Sequence, residues 1–246
     1  MSAIFLSDVH LRDAGSVKTQ LVVRFLQQVA SQFEKVFILG DLFDVWPGTN
    51  AHLVETYRPV IDTLKWLVEG GHEVHYIEGN HDFRLGKFFQ EEIGINVYPD
   101  SFCTEMGGKK VFMTHGDLGN PRDLGYRALR YVLRTNTVHA VKGLFPERWV
   151  YEVGANSSKL SRRVQKNFPA KEMAIRQTYR RTAEEFFQKG YDVVLMGHTH
   201  LPDDVTTFVN GRQCRYINTG DWVKHFTYLE FDGSQFYTKT HPVKNL

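Results

Sequence analysis

Short apolar runs and segments of helical periodicity alternate along the first third of the chain. Apolar residues recur at helical spacing in residues 17–31 and 59–68, and Gly70 with Gly71 is expected to end the second of these helices. Three continuous apolar runs are typical of buried strands and lie at residues 3–7, 35–39 and 74–77. This alternation of strand and helix predicts a largely parallel sheet.

The same pattern continues in the second half of the chain after a long interruption. Apolar runs at residues 109–114 and 191–196 predict two more strands. The connection between them is the longest in the chain, and helical stretches are expected in it near residues 123–134 and 170–189. We therefore predict an α/β core of residues 1–118 and 191–246 that carries a helical cap insert at residues 119–190.

Three shorter strand-like segments follow near the end of the chain. Residues 215–218, 227–231 and 235–238 alternate or pair around turns such as Asp232-Gly233. We expect them to form an antiparallel set that closes the structure.

Most of the predicted strands end in a short polar cluster. The clusters are Asp8-Val9-His10, Gly40-Asp41, Gly79-Asn80-His81-Asp82, His115-Gly116-Asp117 and Gly197-His198-Thr199-His200. Ligands of open α/β sheets collect beyond the carboxyl ends of the strands, so these clusters are expected to meet at one site. Each cluster alone has an ordinary interpretation as a turn, a helix cap or a buried histidine, and only the set predicts a site.

The clusters contain enough metal-ligating side chains for two divalent ions. The candidate ligands are Asp8, His10, Asp41, Asn80, His115, His198 and His200. Oxygen and nitrogen ligands without thiolate suit Mn, Fe, Co or Zn and exclude structural zinc of the four-cysteine kind. Two metals in one cleft are typical of hydrolases that act on phosphate esters.

Composition narrows the class of protein. The chain has 246 residues, 42% of them hydrophobic, so it is long enough to bury a full core. It has no run of 18 apolar residues that predicts a spanning helix, and residues 2–6 lack the basic start of a secretory signal. Cys103 and Cys214 have no metal-type spacing, and their small number favours a reducing, cytoplasmic location.

The net charge of +2 is the sum of a basic segment and an acidic remainder. Residues 122–189 carry 15 Lys and Arg against 6 Asp and Glu, whereas the rest of the chain carries 15 against 22. The acidic part contains the candidate metal ligands. The basic part is the predicted insert, whose charge favours an anionic partner: substrate, lipid or nucleic acid.

In this order, the clusters are similar to the motifs of the calcineurin-like metallophosphoesterases, with Gly40 to Asp44 as the Gly-Asp-x-x-Asp element. The resemblance extends from Asp8 to His200 and implies a four-layer αββα sandwich. It also implies two ligand sets that share Asp41 as a bridge, and it favours Mn. One set is Asp8, His10, Asp41 and His200, and the other is Asp41, Asn80, His115 and His198.

Two residues beside the ligand Asn80 are candidates for catalysis. His81 is placed to donate a proton to the leaving oxygen or to hold the phosphate. Asp82 is a candidate to orient His81, and a helix cap is its other interpretation.

A closer resemblance is to the UDP-2,3-diacylglucosamine diphosphatases of lipid A biosynthesis. It rests on residues 42–46, 80–83, 85–87, 115–117, 123–127 and 155–159. It implies hydrolysis of the substrate's pyrophosphate to UMP and the acylated sugar 1-phosphate, with acyl chains in an apolar groove of the cap. By this match, the substrate contacts are Asn80, His81, Asp123, Ser157 and His198. The insert's own basic residues add Arg127, Arg130, Arg134 and Lys159 as candidates for the anionic diphosphate or headgroups.

The pattern leaves alternatives open. This chain has His81 where those diphosphatases carry Arg, so another phosphodiester, nucleotide or sugar phosphate remains a second substrate hypothesis. A scaffold without turnover predicts missing ligands, and all seven are present. Nucleic acid is not expected as a partner. We expect peripheral contact with the cytoplasmic face of an inner membrane, and we expect the protein to be a monomer.

Overall fold

The computed structural model describes residues 1–135 and 169–242, which form two stacked β-sheets with helices on both outer faces. The strands are β1 (Ala3–Leu6), β2 (Lys35–Ile38), β3 (Glu73–Ile77), β4 (Asn96–Tyr98), β5 (Ser101–Met106), β6 (Lys109–Thr114), β7 (Val193–Met196), β8 (Asp203–Val209), β9 (Arg212–Asn218), β10 (Thr227–Phe231) and β11 (Phe236–Thr240). The helices are α1 (Val17–Gln28), α2 (Ala51–Thr56), α3 (Arg58–Glu69), α4 (Gly86–Phe88), α5 (Leu124–Leu133) and α6 (Pro169–Gln188). A 3₁₀ turn at Ala30–Gln32 and a π-helical turn at Phe89–Ile93 extend α1 and α4.

The first sheet has six strands in the order β11-β10-β1-β2-β3-β4. Strands β1 to β4 are parallel, as the alternation of strand and helix predicted for the first three of them. Strand β10 pairs antiparallel with β1, and β11 pairs antiparallel with β10. The carboxyl ends of β1, β2 and β3 therefore lie side by side at one edge of this sheet.

The second sheet has five strands in the order β5-β6-β7-β9-β8, in which β6, β7 and β9 are parallel. The expectation that residues 215–218 form one antiparallel set with the two following segments is therefore wrong. Strand β9 pairs parallel with β7 and antiparallel with β8, and only β10 and β11 form the closing hairpin. The apolar alternation of a strand identifies its buried face, but it does not identify the neighbouring strand.

Three apolar layers hold the sheets and helices together. Phe5, Phe37 and Leu39 of the first sheet face Met113 and Leu195 of the second. The outer face of the first sheet packs against α1 and α3, and the two helices also contact each other. The outer face of the second sheet packs against α6, whose buried residues there include Tyr179, Ala183 and Phe187. This arrangement is the four-layer αββα sandwich that the resemblance to the metallophosphoesterases implied.

Helix α6 lies within the predicted insert, and its packing makes it the outer layer of the second sheet. The division into a core and a cap at residues 119–190 remains a prediction. In the described part of the chain, none of the helices combines the length and apolarity needed to cross a bilayer.

Candidate metal centre

The five polar clusters meet at the adjoining edges of the two sheets. Backbone hydrogen bonds tie them in pairs: the N–H of Asp8 donates to Gly40 (3.1 Å), and the N–H of Gly197 donates to His115 (2.8 Å). Four candidate ligands follow strands of the first sheet, namely Asp8, His10, Asp41 and Asn80. The other three, His115, His198 and His200, follow strands of the second sheet. The sequence argument from strand ends thus brought together residues that lie far apart in the chain.

Five of the candidate ligands have left-handed backbone. Their φ angles are 53° at Asp8, 53° at His10, 55° at Asp41, 67° at His198 and 59° at His200. Residues other than glycine adopt this region at a cost in free energy, and such residues are concentrated at functional sites. Each of them turns the chain directly after a strand, so the side chain points into the space beyond the sheet edge.

One group of ligand atoms is formed by Asp8, His10 and His200, and these atoms lie within 4.8 Å of one another. The two histidine Nε2 atoms are 3.3 Å apart, and His200 Nε2 is 3.5 Å from Asp8 Oδ1. The imidazole rings of His10 and His200 are stacked with their centroids 5.0 Å apart. Two nitrogens and one carboxylate oxygen therefore face the same small volume.

A second group lies beside the first. Asn80 Oδ1 is 3.0 Å from His115 Nε2 and 2.9 Å from His198 Nδ1. Asp41 lies between the two groups, because its Oδ2 is 3.4 Å from His115 Nε2 and 3.7 Å from His10 Nε2. The geometry agrees with two ligand sets that share Asp41.

Outer contacts orient the histidine rings. His115 Nδ1 is 2.8 Å from the carbonyl oxygen of Leu39, so that its Nδ1–H donates there and its Nε2 faces the site. His200 Nδ1 is 3.3 Å from Asp221, and His10 Nδ1 is 3.5 Å from Asp44. A partner on the second ring nitrogen fixes the tautomer and direction of metal-binding histidines.

Asp221 and Asp44 are site residues that the sequence did not single out for this role. Asp44 was visible as the last residue of the Gly-Asp-x-x-Asp element. Asp221 also accepts hydrogen bonds from the backbone N–H groups of Val223, Lys224 and His225. Burial raises the pKa of its carboxyl, but the contact with His200 and the N–H groups of His225 and Lys224 outweigh burial and lower the pKa below its usual value. No spacing in the sequence relates Asp221 to His200, since the pair depends on how β9 leaves the sheet.

The donor set fits divalent cations. Asp8 Oδ1 is buried and has no hydrogen-bond partner among the described residues, which is costly for a carboxylate oxygen unless a cation is bound. The crowded imidazoles have opposed pKa values. Desolvation and the neighbouring His115 lower the pKa of His198 to about 4, whereas Asp41 overcomes desolvation and raises that of His115 to about 10. Cations at this position would satisfy the facing lone pairs and remove the need for a proton on His115.

Two glycines are required by close approach within the site. A Cβ at Gly79 would collide with the carboxylate of Asp41, and a Cβ at Gly197 would lie 2.5 Å from Asp8 Oδ2. The glycines before Asn80 and His198 therefore leave room for the carboxylates of the neighbouring strands. This is a physical reason for the repeated glycine at the start of these clusters.

His81 lies at the border of both groups. Its ring is edge-on to that of His10, with centroids 4.7 Å apart, and its Nδ1 is 2.9 Å from the carbonyl oxygen of Asp44. Its backbone N–H donates to Asp41 Oδ1 at 2.9 Å. With Nδ1–H donated to Asp44, the Nε2 atom is the one that is left for a substrate.

Asp82 holds the loops of the site together. Its carboxylate accepts hydrogen bonds from the backbone N–H groups of Asp41 (2.8 Å), Gly79 (3.0 Å) and Phe43 (3.1 Å), and from the hydroxyl of Tyr76. Burial and the charge of Asp41 raise its pKa to about 7. These contacts join the loops after β2 and β3. A part for Asp82 in orienting the ring of His81 remains a prediction.

The predicted substrate contacts are only partly within the described residues. Asp123 caps α5 by accepting from the N–H of Tyr126 at 3.0 Å, and Arg127 donates to the carbonyl oxygen of Leu118 at 3.3 Å. Arg130 donates to Asp117 and to Asp100, both at 2.7 Å, so its charge is already paired. Ser157 and Lys159 lie outside the described residues.

Comparison with known proteins identifies similarity along nearly the whole chain. A family model described as the calcineurin-like phosphoesterase superfamily domain matches residues 1–234. UDP-2,3-diacylglucosamine hydrolase of Stenotrophomonas maltophilia (strain R551-3) is 29% identical over 246 residues, which cover 95% of this chain and 96% of that protein. The hydrolase of the same name from Pseudomonas aeruginosa (strain UCBPP-PA14) is 31% identical over 239 residues, with coverage of 95% and 96%.

Proposed function

The chain belongs to the calcineurin-like phosphoesterase superfamily and is a metal-dependent hydrolase, and on this premise we propose that it cleaves the pyrophosphate of UDP-2,3-diacylglucosamine. The products are UMP and 2,3-diacylglucosamine 1-phosphate. The observation that carries the proposal is the convergence of Asp41 and six other Asp, Asn and His side chains. They occur in a chain that matches nearly the full length of proteins named UDP-2,3-diacylglucosamine hydrolase.

The metal-binding part of the proposal assigns two overlapping ligand sets. Asp8, His10, Asp41 and His200 hold one ion, and Asp41, Asn80, His115 and His198 hold the other. When bound, two divalent cations supply hydroxide from water near neutral pH and neutralise the phosphoryl oxygens. Manganese is the proposed native metal, because the ligands combine oxygen and nitrogen without thiolate and the family resemblance favours it.

His81 is the proposed catalytic side chain outside the ligand sets. The carbonyl oxygen of Asp44 holds its Nδ1, and the carboxylate of Asp41 holds its backbone N–H, so Nε2 is directed at the same space as the ligands. In pyrophosphate cleavage, the leaving group is a stable phosphate anion that needs little protonation. His81 is therefore proposed to hold a phosphoryl oxygen, and protonation matters more for poorer leaving groups.

The acylated sugar is proposed to bind under the insert. Helix α5 begins at the cap residue Asp123 and carries Arg127, and its exposed face includes the apolar residues Leu129, Tyr131 and Val132. The substrate carries an anionic diphosphate close to its acyl chains. A helix with both basic and apolar residues could contact both parts. Ser157 and Lys159 belong to the same proposal through the resemblance of their motif.

The substrate proposal predicts a large preference for acyl chains. We expect kcat/KM for UDP-2,3-diacylglucosamine to exceed that for UDP-glucose by at least about 100-fold, because burying each CH₂ group contributes about 0.8 kcal/mol. Initial rates of UMP release, measured with manganese and with both substrates below KM, test this. Equal values for the two substrates would reject the acylated sugar and leave a simpler nucleotide as substrate.

A second candidate is a phosphodiester of another kind. It is favoured by His81, which stands where the diphosphatases of the resemblance carry Arg. Bis-p-nitrophenyl phosphate belongs in the same comparison, because rapid hydrolysis of this small diester with no preference for the acylated sugar would favour the second candidate.

A location at the cytoplasmic face of an inner membrane follows from the acylated substrate. The net charge of +9 in residues 122–189 supports peripheral contact with anionic lipid. We expect the protein to sediment with anionic vesicles at low salt and to dissociate at high salt, since added ions screen the attraction. Protein that stays in the supernatant at low salt would contradict peripheral attachment.

A further inference from the structure

The loop that carries Asn80, His81 and Asp82 is closed at both ends by one buried carboxylate. Glu78 stands at its start, and its Oε1 accepts a hydrogen bond from the N–H of Leu85 at 2.8 Å. The side chain of Glu78 is only 5% exposed. The loop is therefore a closed unit whose position depends on what holds Glu78.

Arg134, at the C-terminal end of α5, holds that unit from outside. Its Nη1 donates to Glu78 Oε2 at 3.0 Å and to the carbonyl oxygen of Pro99 at 2.9 Å. Its Nη2 donates at 3.0 Å to the carbonyl oxygen of Gly79, the residue directly before Asn80. The guanidinium also lies over the ring of Phe83, 5.5 Å from the ring centroid. The guanidinium of Arg134 thus contacts the carboxylate of Glu78, the backbone of Gly79 and the ring of Phe83.

A residue of the loop also donates a hydrogen bond to the end of α5. Arg84 Nη1 donates to the carbonyl oxygen of Arg134 at 2.9 Å. Arg84 itself has left-handed backbone, with φ of 58°. Two arginines therefore join the end of α5 to the loop in opposite directions. Hydrogen bonds to charged groups are stronger than neutral ones, and the guanidinium of Arg134 uses one nitrogen for Glu78 and the other for the Gly79 carbonyl oxygen.

A second attachment ties α5 to the other ligand loop. Arg130 Nε donates to Asp117 at 2.7 Å, and the hydroxyl of Tyr126 donates to the same carboxylate. Asp117 is two residues after His115, so α5 is fixed to both loops that supply Asn80 and His115. Helix α5 is in this way attached to the ligand set of one metal.

We propose that Arg134 is a positioning residue that holds Asn80 and His81 in place through Glu78 and Gly79. It makes the position of α5 part of the geometry of the metal centre. The inference deepens the proposed function of this site and rests on it for the activity measurement alone. Arg134 touches neither metal nor substrate in this role, and its effect passes through the loop.

Arg134→Met is the primary test, because methionine keeps an apolar stem for Phe83 and removes every donor. We expect about tenfold weaker binding of the manganese ion assigned to Asn80, in the range typical for lost outer contacts. Calorimetric titration of the metal-free protein with manganese measures this. The amides of residues 79–85 should exchange with deuterium faster than in the wild type. With bis-p-nitrophenyl phosphate, kcat should fall while KM stays constant.

The matched control is Arg212→Met. Arg212 makes the same kind of contacts at a distant place, with donation to Asp192 (2.6 Å) and to the carbonyl oxygens of Phe187 (2.7 Å) and Gly190 (3.2 Å). It should keep wild-type manganese affinity. Arg134→Lys should bind manganese almost as weakly as Arg134→Met, since a lysine ammonium lacks the planar fork of the guanidinium.

Three outcomes would overturn the proposal: wild-type manganese affinity and exchange in Arg134→Met, equal losses in Arg212→Met, or full recovery in Arg134→Lys. Failure of the wild-type protein to hydrolyse UDP-2,3-diacylglucosamine would reject the substrate proposal instead. The manganese titration and the exchange measurement would still decide the role of Arg134.

Discussion

Asp41→Asn is expected to abolish hydrolysis and to leave the purified protein without a two-metal centre. Asp41 Oδ2 lies within 3.7 Å of both His10 Nε2 and His115 Nε2. An amide cannot supply the negative charge that a bridging ligand shares between two cations. Activity should fall by more than the roughly 100-fold that follows loss of an outer contact. Metal content by mass spectrometry after dialysis against manganese, together with initial rates, measures both effects.

The control for this variant is Asp204→Asn. Asp204 lies on β8 and pairs with Arg215 at 2.7 Å, so the substitution removes an ion-paired carboxylate away from the cluster. It should retain two metals and full activity. Two manganese ions per chain in Asp41→Asn would show that the two ligand sets do not share this residue.

His81→Ala is expected to lower kcat by about 10²-fold while metal content stays at the wild-type level. The ring of His81 contacts the carbonyl oxygen of Asp44 through Nδ1 and packs edge-on against His10, but it is not one of the seven assigned ligands. The substituted backbone still donates its N–H to Asp41. Steady-state kinetics and metal analysis of the same preparation therefore separate turnover from metal binding.

The dependence on leaving group distinguishes two roles of His81. If its imidazole protonates the leaving oxygen, the loss should grow as diesters with poorer leaving groups are used. If it holds a phosphoryl oxygen, the loss should be similar for all of them. His72→Ala is the matched control, because His72 Nδ1 also lies 2.8 Å from a carbonyl oxygen, that of Phe33. Equal loss of metal and activity in His81→Ala would contradict both roles.

The sequence predicted the part of the fold that depends on apolar periodicity. The parallel strands β1, β2 and β3, the flanking helices α1 and α3 and the positions of the polar clusters all follow from runs of buried residues. The edge strands β5 and β8 were not predicted. Their residues alternate between half-buried and exposed, so the apolar signal of a buried run is missing.

The contacts that refine the site are not local in the sequence. Asp221 is 21 residues from His200, and Arg134 is 55 residues from Gly79, so no periodicity or spacing relates these pairs. The left-handed backbone at Asp8 and Asp41 is equally invisible, because their residue type alone does not require it. The sequence could predict which side chains meet, whereas their orientation depends on packing between the sheets.

The origin of the ligands in both sheets has a consequence for cohesion. Asp8, His10, Asp41 and Asn80 come from one layer of the sandwich, and His115, His198 and His200 come from the other. Cations held by both groups of ligands would therefore link two layers that also adhere through Phe5, Phe37 and their apolar neighbours. A ligand that binds only the folded state stabilises it, so we expect a chelator to lower the melting temperature of the protein as well as its activity.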